Sequence, residues 1–204
     1  MTKSICALAH KPGSTRDDFQ AYYEDHHVPL AISHFPFTAY TRNHVSGAHA
    51  FGWDTISEFW ADDIEAAAAL MAGPVGKIMA ADEERFMDRS AIASAGVEEI
   101  ILSPGPRAGH DGRRTALLVQ DGQQDVNLRT AVLNWARTLA DDMPGVSVDF
   151  TTNWSDRAFP AKAVLWLPGT QNPAIPQRLS VQRLELRHAE TPASKLLGFG
   201  SSSL

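Results

Sequence analysis

The chain shows the same order of strands and helices on both sides of a segment rich in proline and glycine. That segment, SPGPRAGHDGRR, occupies residues 103–114 and has the composition of a linker. Before it, four short runs have the apolar or alternating pattern of strands, and two regions have helical spacing. The strands are predicted at 3–9, 39–46, 51–60 and 96–102, and the helical regions at 16–31 and 63–86. Gly73–Pro74 should break the second helical region in two.

The order begins again after the linker but lacks its second helix. Strands are predicted at 115–120, 146–154, 161–167 and 181–188, with one helix at 125–142. The segment PGTQNPAIPQ at 168–177 stands where a second helix would come, and its prolines prevent a regular helix. We therefore predict a first domain at 1–103, a linker at 104–114, a degenerate second copy at 115–190 and a tail at 191–204 that is loose at its end.

A β-α-β-β-α-β order predicts a ferredoxin-like unit, which is an α+β fold. Such a unit covers only one face of its four-stranded sheet with its own helices. Two units can bury the remaining faces by packing sheet to sheet, with their helices outside. The predicted fold class is therefore a pair of tandem ferredoxin-like units that form an α+β barrel. This is a pseudo-dimer within one chain, and homodimers could form in addition.

Composition limits the partners and the compartment. The hydrophobic content of 44% is ordinary for a globular protein, and no apolar run approaches the ~20 residues that span a bilayer. The N-terminus lacks the pattern of a signal peptide, and the single cysteine, Cys6, excludes an internal disulfide. A net charge of −6 argues against nucleic acid and anionic membranes as partners. We expect a cytoplasmic protein whose partner is a small-molecule substrate.

Acid–base chemistry is most plausible in the stretch from Ser14 to Val45. It holds four of the eight histidines and all three tyrosines of the chain. Histidine titrates near neutral pH, and tyrosine can hold or orient a proton. The histidines are His26, His27, His34 and His44, and the tyrosines are Tyr22, Tyr23 and Tyr40.

The phase of the first helix separates two adjacent histidines. Counting about 100° per residue places His26 within the apolar stripe and His27 at its edge, one turn after Tyr23. By this count His26 should be partly buried and structural, whereas His27 should face a cleft. Tyr40, Arg42 and His44 alternate along the next strand and should share one face of it.

Residues 10–103 resemble the EthD-like branch of the dimeric α+β barrel superfamily. The resembling pieces are HKPGSTRDDFQAYYEDHHVPLA, AYTRNHV, WDTISEFWAD and ADEERFMDRS. In that family a helix carries an aromatic residue and, four residues later, a histidine ahead of a small residue and proline, which here match Tyr23 and His27. The family's asparagine–histidine pair matches Asn43–His44. The resemblance implies this fold and a relationship to metal-independent isomerases, cyclases and oxygenases of lactones and phenolic polyketides.

From the motif and the pattern we predict two catalytic residues, His27 and His44. A flat ligand would lie against a second set of polar and aromatic side chains, in which Arg42 would hold a carboxylate or an enolate. Each of these predicted residues could instead have a purely structural role, such as that of a capping histidine, a core tyrosine or a surface arginine. The predicted substrate-binding residues are Tyr23, His34, Tyr40, Arg42, Trp53, Phe59 and Phe86.

No cofactor or metal is predicted. The side chains of His26 and His27 point about 100° apart on a helix, which makes a poor chelate. A haem site like that of other branches of the superfamily would require a histidine in residues 63–86, and that segment has none. The G-x-G-x-x-G fingerprint at a strand–helix turn and the G-x-S-x-G elbow are also absent.

Two classes of function remain open. The first is a cofactor-independent enzyme of aromatic or polyketide metabolism that acts on small phenolic, lactone or polyketide-like substrates. His27 would transfer a proton next to a carbonyl during isomerisation, elimination or ring closure, and His44 or Arg42 would stabilise the enolate-like oxygen. A cofactor-free oxygenase of the same superfamily is a variant of it. The second is a non-catalytic module that binds a ligand or assembles with a partner. A ligand-sized pocket with converging polar groups would favour the enzyme, and a filled core would favour the module.

Overall fold

The computed structural model describes residues 2–47, 50–120 and 127–200. The strands are β1 (Thr2–Leu8), β2 (Ala39–Val45), β3 (Thr55–Ala61), β4 (Ala93–Ile101), β5 (Arg113–Val119), β6 (Ser147–Asn153), β7 (Ala163–Pro168) and β8 (Val181–Glu190). The helices are α1 (Arg16–Tyr22), a π-helical segment (Tyr23–His27), α2 (Val28–Ile32), α3 (Ile64–Ala69), α4 (Pro74–Phe86) and α5 (Leu128–Ala140). Short 3₁₀ turns lie at Leu70–Ala72, Arg89–Ala91, Ala193–Lys195 and Leu197–Gly200.

The strands close into an antiparallel barrel in the order β1-β3-β2-β8-β5-β7-β6-β4. The first four strands have the order β4-β1-β3-β2 and the last four the order β8-β5-β7-β6, so both halves share one arrangement. The halves join by edge pairing, with Asn43 opposite His188 and Val97 opposite Thr151. The predicted α+β barrel is confirmed. The duplication and the domain boundaries remain predictions, although β5 begins at Arg113, inside the predicted linker.

The helices pack on the outside of the barrel, so the apolar residues form three clusters: one inside the barrel and one between each sheet and its helices. The segments from α1 to α4 cover the first sheet, and α5 covers the second. The barrel interior forms its own apolar cluster around Ile5, Ile56 and Trp166. Residues 169–180 hold no helix, as the prolines predicted. Part of the predicted tail packs on the first sheet, where Leu196 is buried, and its last residues, 201–204, lie outside the described residues.

The second helical region breaks at Gly73–Pro74, as predicted. The helical pieces Ile64–Ala72 and Pro74–Phe86 meet at a bend of 76°. Among the described residues no single helix is long and apolar enough to cross a membrane, and only this bent pair passes by length and composition.

The helix after Thr15 contains a π-helical turn that the sequence did not predict. The Val28 amide donates to the Tyr23 carbonyl, five residues earlier, which is the π pattern. A π turn takes one more residue to close than an α turn, so the side chains that follow are rotated relative to α-helical counting. His27 is therefore buried and His26 exposed. The prediction that His26 lies in the apolar stripe is wrong for this reason.

One end of the barrel interior holds a buried cluster of charges. The Lys3 ammonium lies 2.8 Å from Glu58, 2.8 Å from Glu99 and 2.7 Å from Asp149. The Arg114 guanidinium pairs with Glu58. Burial acts to lower the pKa of Lys3, but the three carboxylates together raise it above its ordinary value. Charges this deep are retained only when they are paired, so the cluster ties strands of both halves together.

This cluster predicts a pH dependence of stability. Burial raises the pKa of Asp149 from 3.8 to about 6, although Lys3 opposes it. A carboxyl group whose pKa is higher in the folded state contributes stability at low pH, which is lost as the pH rises through the folded pKa. We expect the free energy of unfolding of the wild type, relative to Asp149→Asn, to fall between pH 4 and pH 6 and to level off near pH 7. Urea unfolding of both proteins across this range measures it, and a difference that is constant or grows with pH would contradict it.

Candidate active site

A pocket of about 460 Å³ lies between the first sheet and the helices that cover it. Strands β1, β3 and β4 form its floor, and the π-helical segment, α3, α4 and the loop after α2 form its walls. Its lining is mostly apolar, with a few polar groups from His27, Glu83, Arg89, Ser4 and Ser94. Its apolar lining includes Cys6, Leu8, Phe35, Phe37, Phe59, Met71, Met79, Ile92 and Trp154. Such a concave apolar site with a few polar groups is typical of small-molecule pockets.

His27 is the titratable ring of the pocket wall, and Asp82 orients it. The His27 Nδ1 atom lies 2.8 Å from Asp82 Oδ2, and Asp82 Oδ1 accepts a hydrogen bond of 2.9 Å from the Tyr22 hydroxyl. Because a carboxylate can only accept, Nδ1 carries the proton, and a neutral ring then keeps its lone pair on Nε2. Nε2 makes no hydrogen bond to any part of the chain that the structure describes. Burial lowers the pKa of His27, against the opposing effect of Asp82 and Glu83. The neutral ring that results at pH 7 can serve as a base.

Glu83 and Arg89 form an ion pair in the same pocket. The Arg89 Nε atom donates to Glu83 Oε2 at 3.1 Å, and its Nη1 atom lies 3.4 Å from Glu84 Oε1. Glu83 is buried, whereas the Arg89 side chain is 44% exposed, so the pair runs from the pocket towards its mouth. The predicted site did not include either residue.

A sequence signal for Glu83 was present. Gly76, Met79, Glu83 and Phe86 recur at three- and four-residue spacing along α4 and are its buried residues. A carboxylate in the apolar phase of a helix indicates a buried, partnered charge, which is uncommon outside functional or structural networks. Asp82, the residue before Glu83, lies on the side of α4 that faces His27.

Tyr23 lines the pocket, while Tyr40 lies behind it in the core. The Tyr23 hydroxyl is 2.8 Å from the Tyr40 hydroxyl and 2.9 Å from Ser57 Oγ. Burial raises the pKa of both tyrosines well above the ordinary value, so both stay protonated at neutral pH. The pair fixes the π-helical segment on the sheet.

His44 and Arg42 share a face of β2, as predicted, but they do not reach the pocket. His44 is fully buried, with Nδ1 2.7 Å from Thr55 Oγ1 and Nε2 2.7 Å from Glu24 Oε1. Arg42 donates from Nε and Nη2 to the two oxygens of Glu24, at 3.0 and 2.7 Å. The expectation that His44 and Arg42 face the cleft is wrong, because Glu24 of the π-helical segment binds both side chains and neither lines the pocket.

Of the remaining residues predicted to contact a ligand, one lines the pocket and three do not. Phe59 lines the pocket, and its ring stacks on Tyr40 at 4.8 Å. Phe86 lies behind the lining, packed against His27 at 5.3 Å. Trp53 packs at the apolar end of the barrel interior and donates to the Ala91 carbonyl at 2.6 Å. His34 lies in the loop after α2 and is not among the residues that line the pocket.

The structure thus brings His27, Tyr23 and Phe59 together and adds Asp82, Glu83 and Arg89. It leaves the other predicted residues, which are His44, His34, Tyr40, Arg42, Trp53 and Phe86, outside the pocket lining. Within the described ranges no three His, Cys, Asp or Glu side chains converge as metal ligands would.

Comparison with known proteins confirms the resemblance of the first half. Residues 11–90 match the model of the EthD domain. No curated protein sequence matches the chain.

Solved structures share the barrel. One from Lactobacillus acidophilus NCFM, described as a "putative monooxygenase", has a TM-score of 0.56 and 12% identity, over 94% of this chain and 96% of that one. Another with the same description, from Fusobacterium nucleatum subsp. nucleatum, has a TM-score of 0.55 and 13% identity, over 91% of each chain. At these identities the likeness establishes the fold alone.

Proposed function

We propose that the EthD domain at residues 11–90 carries the site of a cofactor-independent enzyme that moves a proton on a small, flat substrate. The substrate class is phenolic, lactone or polyketide-like, and the reaction is an isomerisation, an elimination or a ring closure. One observation carries the proposal. His27 is held by Asp82 through Nδ1, and its Nε2 is free of hydrogen bonds to the described chain, in the wall of an apolar pocket.

The chemistry follows from this geometry. Nε2 of neutral His27 takes a proton from a carbon next to a carbonyl, and the electron pair moves to the carbonyl oxygen. The His27 ring becomes a cation, which the Asp82 carboxylate stabilises at 2.8 Å. The same Nε2–H then returns the proton to a different carbon. A positioned base of this kind contributes about 10²–10⁴-fold to the rate.

The pocket suits a flat ring. Phe35, Phe37 and Phe59 supply aromatic surface, and the flexible side chains of Met71 and Met79 in the same lining can adapt to the shape of a ligand. Its volume of about 460 Å³ is within the range for small-molecule sites.

Oxygenation is a second outcome of the same first step. The carbanion that His27 generates could transfer electrons to dioxygen instead of taking a proton back. The two similar barrels described as putative monooxygenases make this variant worth measuring, so oxygen consumption should be followed beside proton exchange.

The test uses a probe that does not require the natural substrate. 2-Tetralone is a flat, aromatic ketone with acidic C–H bonds, and in D₂O a base in the pocket would exchange them for deuterium. We expect the protein to accelerate this exchange by about 10²-fold or more over buffer, measured by NMR. Binding of 2-tetralone without any acceleration would instead favour a non-catalytic binding module.

A pair of variants tests whether the exchange occurs in this pocket. Ala68 is exposed and lines the pocket mouth, whereas its exposed neighbour Ala69 does not line it. We expect Ala68→Trp to reduce the exchange rate at least tenfold by filling the mouth, and Ala69→Trp to leave it unchanged. Equal rates in the two variants would contradict the assignment of the reaction to this pocket.

A further inference from the structure

Proton abstraction next to a carbonyl needs a donor for the oxygen that becomes an enolate. Among the described residues that line the pocket, the one side chain with a permanent positive charge is Arg89. The uncharged donors of the lining are the hydroxyls of Ser4 and Ser94, the Trp154 indole N–H and the Tyr23 hydroxyl, which already bonds to Tyr40 and Ser57. Glu83 can only accept when it is ionised.

The position of Arg89 is fixed from several sides. It opens the 3₁₀ turn before β4, and the Asp88 side chain caps that turn by accepting from the Ser90 amide at 3.0 Å. Glu83 binds its Nε atom at 3.1 Å, and Glu84 lies 3.4 Å from Nη1. Within the described chain Nη2 has no hydrogen-bond partner. The guanidinium is therefore held by carboxylates on one side and keeps N–H donors available on the other.

Arg89 and the base line the same pocket. Asp82, which binds His27 Nδ1 at 2.8 Å, and Glu83, which binds Arg89 Nε at 3.1 Å, are consecutive residues of α4. One substrate can meet both groups, with its acidic carbon at His27 and its oxygen at Arg89.

We infer that Arg89 donates a hydrogen bond from Nη2 to the substrate oxygen next to the carbon that His27 deprotonates, and that Glu83 is its positioning residue. This inference rests on the proposed function. In the step, the C–H bond breaks and an N–H bond forms at His27 Nε2. A C=C bond forms as the C=O π pair moves to oxygen, where the negative charge meets the guanidinium. The substrate class narrows to ketones and lactones whose carbonyl end lies towards Glu83 and Arg89.

Arg42, which the sequence suggested for this task, cannot perform it. Its Nε and Nη2 atoms are bound by Glu24, and its Nη1 atom donates to Thr191 Oγ1 at 2.6 Å and to the Tyr40 carbonyl at 3.1 Å. All of its nitrogens are thus bonded to residues of the chain, and Arg42 does not line the pocket.

The first arm of the test measures binding. 2-Naphthol has the shape of 2-tetralone, and its naphtholate form mimics the enolate. We expect Arg89→Gln to weaken naphtholate binding by about 10-fold to 100-fold, because it removes a hydrogen bond to a charged group, and to leave 2-tetralone binding within twofold. Lys77→Gln removes a positive charge from an exposed position of α4 that does not line the pocket, and should change neither affinity. Equal losses for both probes, or no loss, in Arg89→Gln would overturn the inference.

The second arm measures exchange into 2-tetralone as a function of pH. We expect Arg89→Gln to lower the maximal rate by 10-fold to 100-fold while the melting temperature stays close to that of the wild type. Arg89→Lys keeps the charge but lacks the forked geometry, and it should recover the rate only in part. A wild-type rate in Arg89→Gln would overturn the inference and leave the proposed function standing. A wild-type protein that fails to exchange the probe would remove the proposed function, and selective naphtholate binding would still decide the role of Arg89.

Discussion

Replacing His27 by glutamine should reduce deuterium exchange into 2-tetralone by about 10²-fold or more while the fold is kept. Glutamine can still donate to Asp82 from its amide nitrogen, but it cannot accept a proton at neutral pH. The rate of the wild type should rise with pH through the pKa of His27, which burial lowers from the ordinary value of 6.5. The remaining rate of the variant should lack that titration. NMR exchange rates across pH 5–8, with melting curves for both proteins, measure the effect.

The adjacent histidine provides the matched control. His26 is exposed, and its ring packs in a tilted arrangement against Tyr22, with 4.7 Å between the ring centroids, and does not line the pocket. We expect His26→Gln to keep the wild-type exchange rate and to change the free energy of unfolding by no more than about 0.5 kcal/mol, as is usual for surface sites. Wild-type activity in His27→Gln, or a loss confined to His26→Gln, would remove His27 from the mechanism.

The π turn explains why helical counting mislocated these two histidines. Counting at a constant angle per residue assumes an uninterrupted α-helix, and nothing in YYEDHH marks the extra residue. The resemblance to the EthD-like helix pointed to His27 by its place in the motif, four residues after Tyr23 and ahead of a small residue and proline, and this order does not depend on the local twist. π turns are frequent at functional sites, which agrees with the position of His27 in the pocket wall.

The overall fold could be predicted from local patterns. Strand-length apolar runs, helical spacing and the breakers Gly73–Pro74 and 168–177 each act over a few residues, so their order was visible in the sequence. The edge pairing of β2 with β8 and of β4 with β6 depends on residues that are far apart in the chain. Only the uncovered sheet faces indicated that the barrel would close.

The charged interior was not predictable in the same way. Lys3 stands at the start of an apolar strand and resembles a solvent-facing end residue, and Arg114 was counted as linker. Each becomes a buried cation only because the barrel brings carboxylates to it: Glu58 and Asp149 to Lys3, and Glu58 to Arg114. Pairing over such separations leaves no periodic signal.

The site was predicted only in part, because the packing of helices on the sheet also depends on residues that are far apart in the chain. The alternation of Tyr40, Arg42 and His44 along β2 was correct, but alternation does not say what covers a face. Here the π-helical segment covers it, since its Glu24 binds Arg42 and His44 and its Tyr23 bonds to Tyr40. The pocket lies instead towards β1 and β4, where α4 supplies Asp82 and Glu83.

The second large effect concerns the charged interior. We expect Arg114→Met to lower the free energy of unfolding by about 3–5 kcal/mol, the usual consequence of removing one partner from a buried ion pair. Glu58, Glu99 and Asp149 would then share the single charge of Lys3. The variant also loses the stacking of the guanidinium on Trp166, whose ring lies 4.2 Å away. Urea unfolding at pH 7 measures the difference.

Adding Glu58→Gln to Arg114→Met separates charge from packing. The double variant removes the unpaired carboxylate, and a buried ion pair replaced as a whole is often nearly neutral in stability. We therefore expect it to recover most of the loss, which a double-mutant cycle reports as a coupling energy of at least about 1 kcal/mol. Arg113→Met changes the neighbouring arginine, whose side chain is 50% exposed, and should stay within about 0.5 kcal/mol of the wild type. If the double variant is no more stable than Arg114→Met, the contribution of Arg114 comes from packing on Trp166 and not from its charge.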